Sequence, residues 1–177
     1  MATTAASAWE SVGELPVSVL LDNVRSMYNV GAFFRTMDAA RCDELLLCGI
    51  TARPPKRAIT KTALGAEETV RWSYDADALD AARRMRESGR EMAAIETSVH
   101  AVDLFDWRPA FPVCLVFGHE VDGIRPEVAA LCDVHVRIPM LGRKHSLNVA
   151  SAGAVVIYEL LRKYREAGSN LTAPVRD

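Results

Sequence analysis

The feature that most constrains this chain is a series of short apolar runs separated by stretches whose apolar residues recur at intervals of three and four. Val17–Leu21, Glu44–Cys48, Met92–Ile95, Val113–Phe117 and Val134–Ile138 are such runs, with the one at Val113–Phe117 the strongest. Runs this brief, bounded by turn-forming residues, read as strands buried on both faces rather than as helices. A weaker strand is expected at Thr69–Trp72. Between the first two runs, Val30, Phe33, Phe34, Met37 and Ala40 form the stripe of an amphipathic helix, with Asn29 as its expected N-cap. Asp75 to Ser88 has helical composition and a stop at Gly89, and a last helix is expected from about Leu147 to Arg165, finishing before Gly168. Strands that alternate with helices predict an α/β fold: a mostly parallel sheet flanked by helices, with function on the loops that follow the strands.

With 177 residues, half of them apolar, the chain is long enough for one substantial core. Residues 1–14 are small and polar and are expected to form a flexible lead, 15–168 a single domain, and 169–177 a short tail. No apolar run approaches the roughly 20 residues needed to cross a bilayer, so a cytoplasmic protein without membrane contact is expected. Cys42, Cys48, Cys114 and Cys132 have no metal-site spacing and lie in or beside apolar segments, which favours reduced, buried thiols. A formal charge of −2 argues against bulk electrostatic coating of nucleic acid but leaves room for a local basic patch. Arg53, Lys56, Arg57 and Lys61 form that patch, on a segment that Pro54 and Pro55 keep out of regular structure.

Three loops after predicted strands carry the candidate chemistry. The first, within Asn23–Arg35, offers Asn29 and Arg35; the arginine is one or two turns from the expected cap, where it could reach back to the strand end. In the second, Gly118 and Gly123 permit a tight turn that brings main-chain amides against a ligand, and Glu120 is the carboxylate centred in it. The third, Ile138–Asn148, pairs the apolar Ile138, Met140 and Leu147 with Ser146 and Asn148, either of which could cap the last helix. An apolar shelf beside backbone donors suits an adenine ring. No loop has the glycine pattern of dinucleotide-binding or phosphate-cradling folds, which disfavours nicotinamide and nucleoside-triphosphate chemistry.

In order, Asn29-Val30-x-Ala32-x-x-Arg35-Thr36, Phe117-Gly118-x-Glu120-x-x-Gly123-Ile124 and Ile138-Pro139-Met140 through Ser146-Leu147-Asn148-Val149 resemble the three motifs of the SpoU branch of the SPOUT RNA methyltransferases, and of its TrmH-like ribose 2′-O-methyltransferases in particular. Each motif alone is common; three in this order and spacing are specific. The resemblance implies a C-terminal deep trefoil knot, a homodimer with sites at the subunit interface, S-adenosylmethionine as cofactor, and tRNA or rRNA as substrate. It further implies that Thr97, Gly118, Ile138, Met140 and Leu147 line the cofactor pocket, and that Asn29, Arg35, Glu120, Ser146 and Asn148 are the polar residues of the active site. Because a guanidinium stays protonated in proteins, Arg35 is expected to hold an RNA phosphate and stabilise developing charge rather than to act as a base. The chain is expected to lack the separate N-terminal RNA-binding domain of several relatives, with recognition coming from the catalytic dimer itself or from an accessory protein. A non-catalytic RNA-binding dimer and a SPOUT enzyme that methylates a base nitrogen are the alternatives left open.

Overall fold

The computed structural model describes residues 13–171, with side chains to residue 168. In chain order its first half contains β1 (Val17–Asp22), α1 (Met27–Ala40), β2 (Leu45–Cys48), α2 (Arg57–Ala63), α3 (Ala66–Thr69) and β3 (Trp72–Asp75). The second half contains α4 (Ala78–Glu87), β4 (Glu91–Ile95), β5 (Val102–Asp103), β6 (Val113–Phe117), α5 (Pro126–Ala129), β7 (Val134–Arg137) and α6 (Val149–Leu171). The strands form one seven-stranded sheet in the order β3-β2-β1-β6-β4-β7-β5. All of its pairings are parallel.

Strand periodicity sorts the core into two layers. Val17, Val19 and Leu21 of β1 turn to the face covered by Val30, Phe33, Phe34 and Met37 of α1 and by Val156, Ile157 and Leu160 of α6. Leu20, pointing the other way, joins Cys114 and Val116 of β6 beneath Ala78, Ala81 and Ala82 of α4 and Val128 of α5. A fully buried side chain of this size contributes about 1.5–3 kcal/mol, so the central strands β1 and β6, buried along their whole length, anchor the fold. Gly153 lets α6 approach α1 closely: a Cβ there would stand 2.3 Å from Cε1 of Phe33. Phe33 in turn packs on Phe117 at the end of β6, with ring centroids 5.1 Å apart. The helix that follows the third motif is thereby pressed against the helix of the first, which in turn packs on the strand of the second.

Several expectations need correction. Ser26, not Asn29, caps α1, because its hydroxyl accepts the Asn29 amide and the helix has already begun at Met27. The strand expected at Thr69–Trp72 lies at Trp72–Asp75, since Thr69 is held at the end of α3, its hydroxyl on Asp38 at 2.7 Å. Asp75 closes that strand instead of opening a helix; Asp77 caps α4. The last helix begins at Val149 and runs through Gly168 to Leu171, a glycine cost of about 1 kcal/mol that the helix absorbs. The expected 169–177 tail therefore starts inside that helix, and residues 172–177, like 1–12 of the expected lead, lie outside the described residues. Arg57 and Lys61, expected on an irregular segment, stand on α2. The sequence reading did not anticipate α2, α3, α5 or β5. Cys42, Cys48 and Cys114 are buried free thiols and Cys132 is half-buried. Burial pushes the Cys42 thiol up to about 12. No helix among the described residues is long and apolar enough to cross a membrane.

Candidate active site

The three motif loops meet at the carboxyl ends of β1 and β6 and the amino end of α6. The first loop is set by Asn23, whose left-handed backbone (φ 59°) turns the chain off β1. Its Oδ1 accepts the Ile50 amide at 3.0 Å. Beyond it the amides of Arg25 and Ser26 point outward, and both donate to the Glu120 carboxylate at 3.0 Å. The second loop presents that carboxylate because Gly118 and Gly123 close it tightly. His119 and Gly123 exchange backbone hydrogen bonds at 3.0 and 2.9 Å, and a Cβ on Gly118 would lie 2.2 Å from the Gly123 carbonyl carbon. Only glycine fits at Gly118.

The third loop closes the arrangement through Asn148. Its Oδ1 accepts the Ala150 and Ser151 amides at 3.0 and 3.3 Å, so Asn148 caps α6. With the oxygen committed, its Nδ2 donates to Asn29 Oδ1 at 3.1 Å. Asn29 then has its own Nδ2 left, which donates to Glu120 Oε1 at 3.0 Å. The helix cap thus fixes the orientation of both amides and leaves Glu120 as a pure acceptor. Partial burial acts to raise the Glu120 carboxyl, but the Arg25, Ser26 and Asn29 donors outweigh it and hold the group below its ordinary value. Glu120 is accordingly an ionised anchor.

Behind this chain of polar groups lies a cavity of about 350 Å³, within the size range of small-molecule sites. Thr97, Gly118, Ile138, Met140 and Leu147, the residues expected to line a cofactor pocket, all belong to its wall, together with Glu120, Ser146 and Asn148. Ile95 and Val149 extend the apolar side, and the edge carries exposed polar groups, as a nucleoside with a short polar chain requires. Arg35 is the expected site residue that the fold does not bring in. Counted from the true cap it stands nine residues along α1, exposed, with no hydrogen-bond or ion-pair partner among the described residues. Six residues after Asn29, it is about 9 Å farther along the axis and on another face of the helix.

Arg53, Lys56, Arg57 and Lys61 are all exposed. The Arg53 guanidinium lies over the Tyr74 ring, 4.0 Å from its centroid. Arg57 and Lys61, one turn apart, share a face of α2. That helix is locked to the active-site end of α1: the Thr62 hydroxyl donates to the Tyr28 carbonyl at 3.1 Å, and a Cβ on Gly31 would fall 2.4 Å from the Ile59 carbonyl oxygen.

The sequence reading missed Arg25 and Ser26, which act through backbone amides and leave no trace in residue type. A serine three positions before Asn29 was the available signal for the cap. It also missed Asp22, Asp77 and Arg125. The Asp22 carboxylate, buried at the end of β1, accepts the Arg125 backbone amide and Nε, both at 3.2 Å. Arg125 also reaches Asp77 at 2.5 Å, tying the chain just after the Glu120 turn to the first strand and to α4.

The SpoU rRNA Methylase family model matches residues 16–158. The tRNA (guanosine(18)-2′-O)-methyltransferase of Escherichia coli (strain K12) is 32% identical over 155 residues, which are 88% of this chain and 67% of that protein. The AdoMet-bound rRNA methyltransferase of Sinorhizobium meliloti superposes with a TM-score of 0.78 at 30% identity, over 88% of this chain and 60% of that one. The SpoU methyltransferase AviRb of Streptomyces viridochromogenes, in complex with AdoMet, gives a TM-score of 0.75 at 26% identity, over 86% of this chain and 59% of that one. This chain therefore spans about three-fifths to two-thirds of the length of these relatives. Its parallel sheet, its three converging loops and the extent of the match all place it in one group: the chain belongs to the SpoU rRNA Methylase family.

Proposed function

We propose that this chain transfers a methyl group from S-adenosylmethionine to a ribose 2′-oxygen of tRNA or rRNA. The observation that carries the reading is the chain of hydrogen bonds from Asn148 through Asn29 to Glu120 at the rim of a nucleoside-sized cavity. Similarity to 2′-O-methyltransferases and to AdoMet-bound structures supports the substrate class and the cofactor.

The cavity residues fit the cofactor. Ile138, Met140 and Leu147 would pack its base, and Thr97 and Gly118 would border it with backbone groups. When bound it supplies an electrophilic methyl group. The ribose oxygen must be held in line with that methyl, so orientation is the main task of the protein. Asn148 retains one Nδ2 hydrogen beyond the bond to Asn29, and the Ser146 hydroxyl is exposed with no partner among the described residues. These two groups are assigned to the ribose. Glu120 is not assigned as the proton acceptor, because three donors already stabilise its charged form. It orients Asn29.

Arg35 is assigned to an RNA phosphate beside the acceptor sugar. Its position outside the cavity wall supports completion of the site at a homodimer interface. The return of the chain from β7 to α6, through residues 138–148, is proposed to be threaded as a deep trefoil knot. Arg53, Lys56, Arg57 and Lys61 are assigned to RNA phosphates farther from the reacting sugar.

The test is incubation of the purified protein with S-adenosylmethionine and unmodified tRNA or rRNA, digestion to nucleosides and mass spectrometry. A 2′-O-methylnucleoside is expected. A methylated base, or RNA binding without methylation, overturns the proposal. Sedimentation at twice the 19.4 kDa chain mass checks the dimer.

A further inference from the structure

Glu120 is not the sole carboxylate in the cavity wall; Glu96, just past the end of β4, is another. Its backbone is pinned to the sheet by a hydrogen bond from its amide to the Val136 carbonyl at 3.0 Å. His135, on the neighbouring strand β7, holds Glu96 Oε1 through Nδ1 at 2.5 Å. Glu96 Oε2 has no partner among the described residues. Both oxygens of Glu120, in contrast, are committed to Arg25, Ser26 and Asn29. No lysine or arginine is among the residues that line the cavity. The site is therefore an anionic cleft with one carboxylate oxygen left open, on a support tied to the sheet.

The reaction proposed above changes the charge of what this cleft holds. The donor carries a sulfonium, an ammonium and a carboxylate, a net charge of +1. Once the methyl has left, the sulfur is a neutral thioether and the net charge is zero. A wall of apolar side chains distinguishes the two only by a methyl group, whereas a half-buried carboxylate distinguishes them by charge as well. Resting on the cofactor reading, we infer that Glu96, braced by His135, is a specificity-determining residue that makes the cavity prefer the cationic donor over the neutral product. The preference favours loading of fresh donor and departure of spent cofactor, a service that Glu120 is poorly placed to give because its charge is already satisfied.

Isothermal titration calorimetry on the full chain tests this with three ligands: S-adenosylmethionine, S-adenosylhomocysteine, and the analogue in which a protonated amine replaces the methylsulfonium. Glu96→Gln is expected to weaken the donor and the amine analogue by about five- to tenfold and the neutral product by less than about twofold. Glu96→Asp, which keeps the charge, is expected to retain the preference. Equal weakening of all three ligands in Glu96→Gln, or no weakening, overturns the inference, as does loss of the preference in Glu96→Asp. Wild-type protein that binds none of the three removes the cofactor reading itself, a result distinct from either of those.

Discussion

Asn148 Nδ2 lies 3.1 Å from Asn29 Oδ1, joining two residues 119 positions apart in the chain. The contact has a direction because Asn148 caps α6 with its oxygen, so only its nitrogen can face Asn29. A local rule of helix termination thereby sets the polarity of the whole chain of groups that ends on Glu120. The same side chain serves fold and site, and the two roles separate under substitution.

Asn148→Asp keeps an acceptor for the Ala150 and Ser151 amides and adds negative charge at a helix N-terminus, which is worth about 0.3–1 kcal/mol. It removes the donor to Asn29 and sets a carboxylate against Asn29 Oδ1. The variant is expected to melt at or slightly above the wild-type temperature and to lose methyl transfer by about tenfold or more. Asn148→Ala should instead lose about 1 kcal/mol of stability with its cap. Thermal melts paired with initial rates check both, and a fully active Asn148→Asp protein would strip the contact of its catalytic meaning.

Glu120 predicts a pH dependence. Its carboxyl is lowered from the ordinary 4.5, so its contribution to stability is fully present above that value and fades as the pH falls through the lower folded one. Glu120→Gln removes the contribution at every pH. The gap in melting temperature between wild type and variant should be widest near neutrality and narrow steadily on acidification toward pH 3. A gap that stays constant across that range would mean that the carboxylate is not stabilised by its three donors.

The alternation of buried strands with helices was legible because burial on both faces leaves continuous apolar runs, as in Val113–Phe117 and Val17–Leu21. Motif order brought together the residues of one cavity wall, since Gly118, Met140 and Leu147 are set by turns and apolar contacts that residue type encodes. What escaped was long-range or carried by the backbone. The Arg25 and Ser26 amides, 95 and 94 residues from Glu120, become its ligands only once β1 and β6 lie side by side. Glu96 has no motif around it, and its pairing with His135 follows from the adjacency of β4 and β7. The shift of β3 to Trp72–Asp75 has a similar origin: Trp72 is drawn into the sheet beside Leu45, against the Phe34 ring, and Thr69 is left to end a helix.

Arg35 stands apart from the cavity, which makes its assignment to RNA sharp. Arg35→Lys keeps a positive charge but loses the planar fork that grips a phosphate in two places. Turnover is expected to fall by about tenfold or more, while calorimetric affinity for S-adenosylmethionine stays unchanged. Full activity in this variant removes Arg35 from the reaction, and a matching loss of cofactor affinity would place it at the cavity instead.

The cations of α2 offer a test that does not depend on chemistry at all. Thr62 on Tyr28 and the close approach at Gly31 hold α2 rigidly against the first turns of α1, so Arg57 and Lys61 keep a fixed position relative to Asn29. A phosphate track so placed would set the register of the RNA without reading its bases. Each phosphate neutralised on a single strand contributes about 0.7 to the slope of log affinity against log salt. Replacing Arg57 and Lys61 together with glutamine should therefore flatten that slope by about 1.4 and weaken binding across different RNA sequences alike. Cofactor affinity should not move, because neither residue lines the cavity. A slope identical to wild type would leave the two cations as solvated surface, and the RNA would then have to approach the site from the side of Glu120 and Val121, where a second groove is lined by Arg25, Ser26 and Asn29.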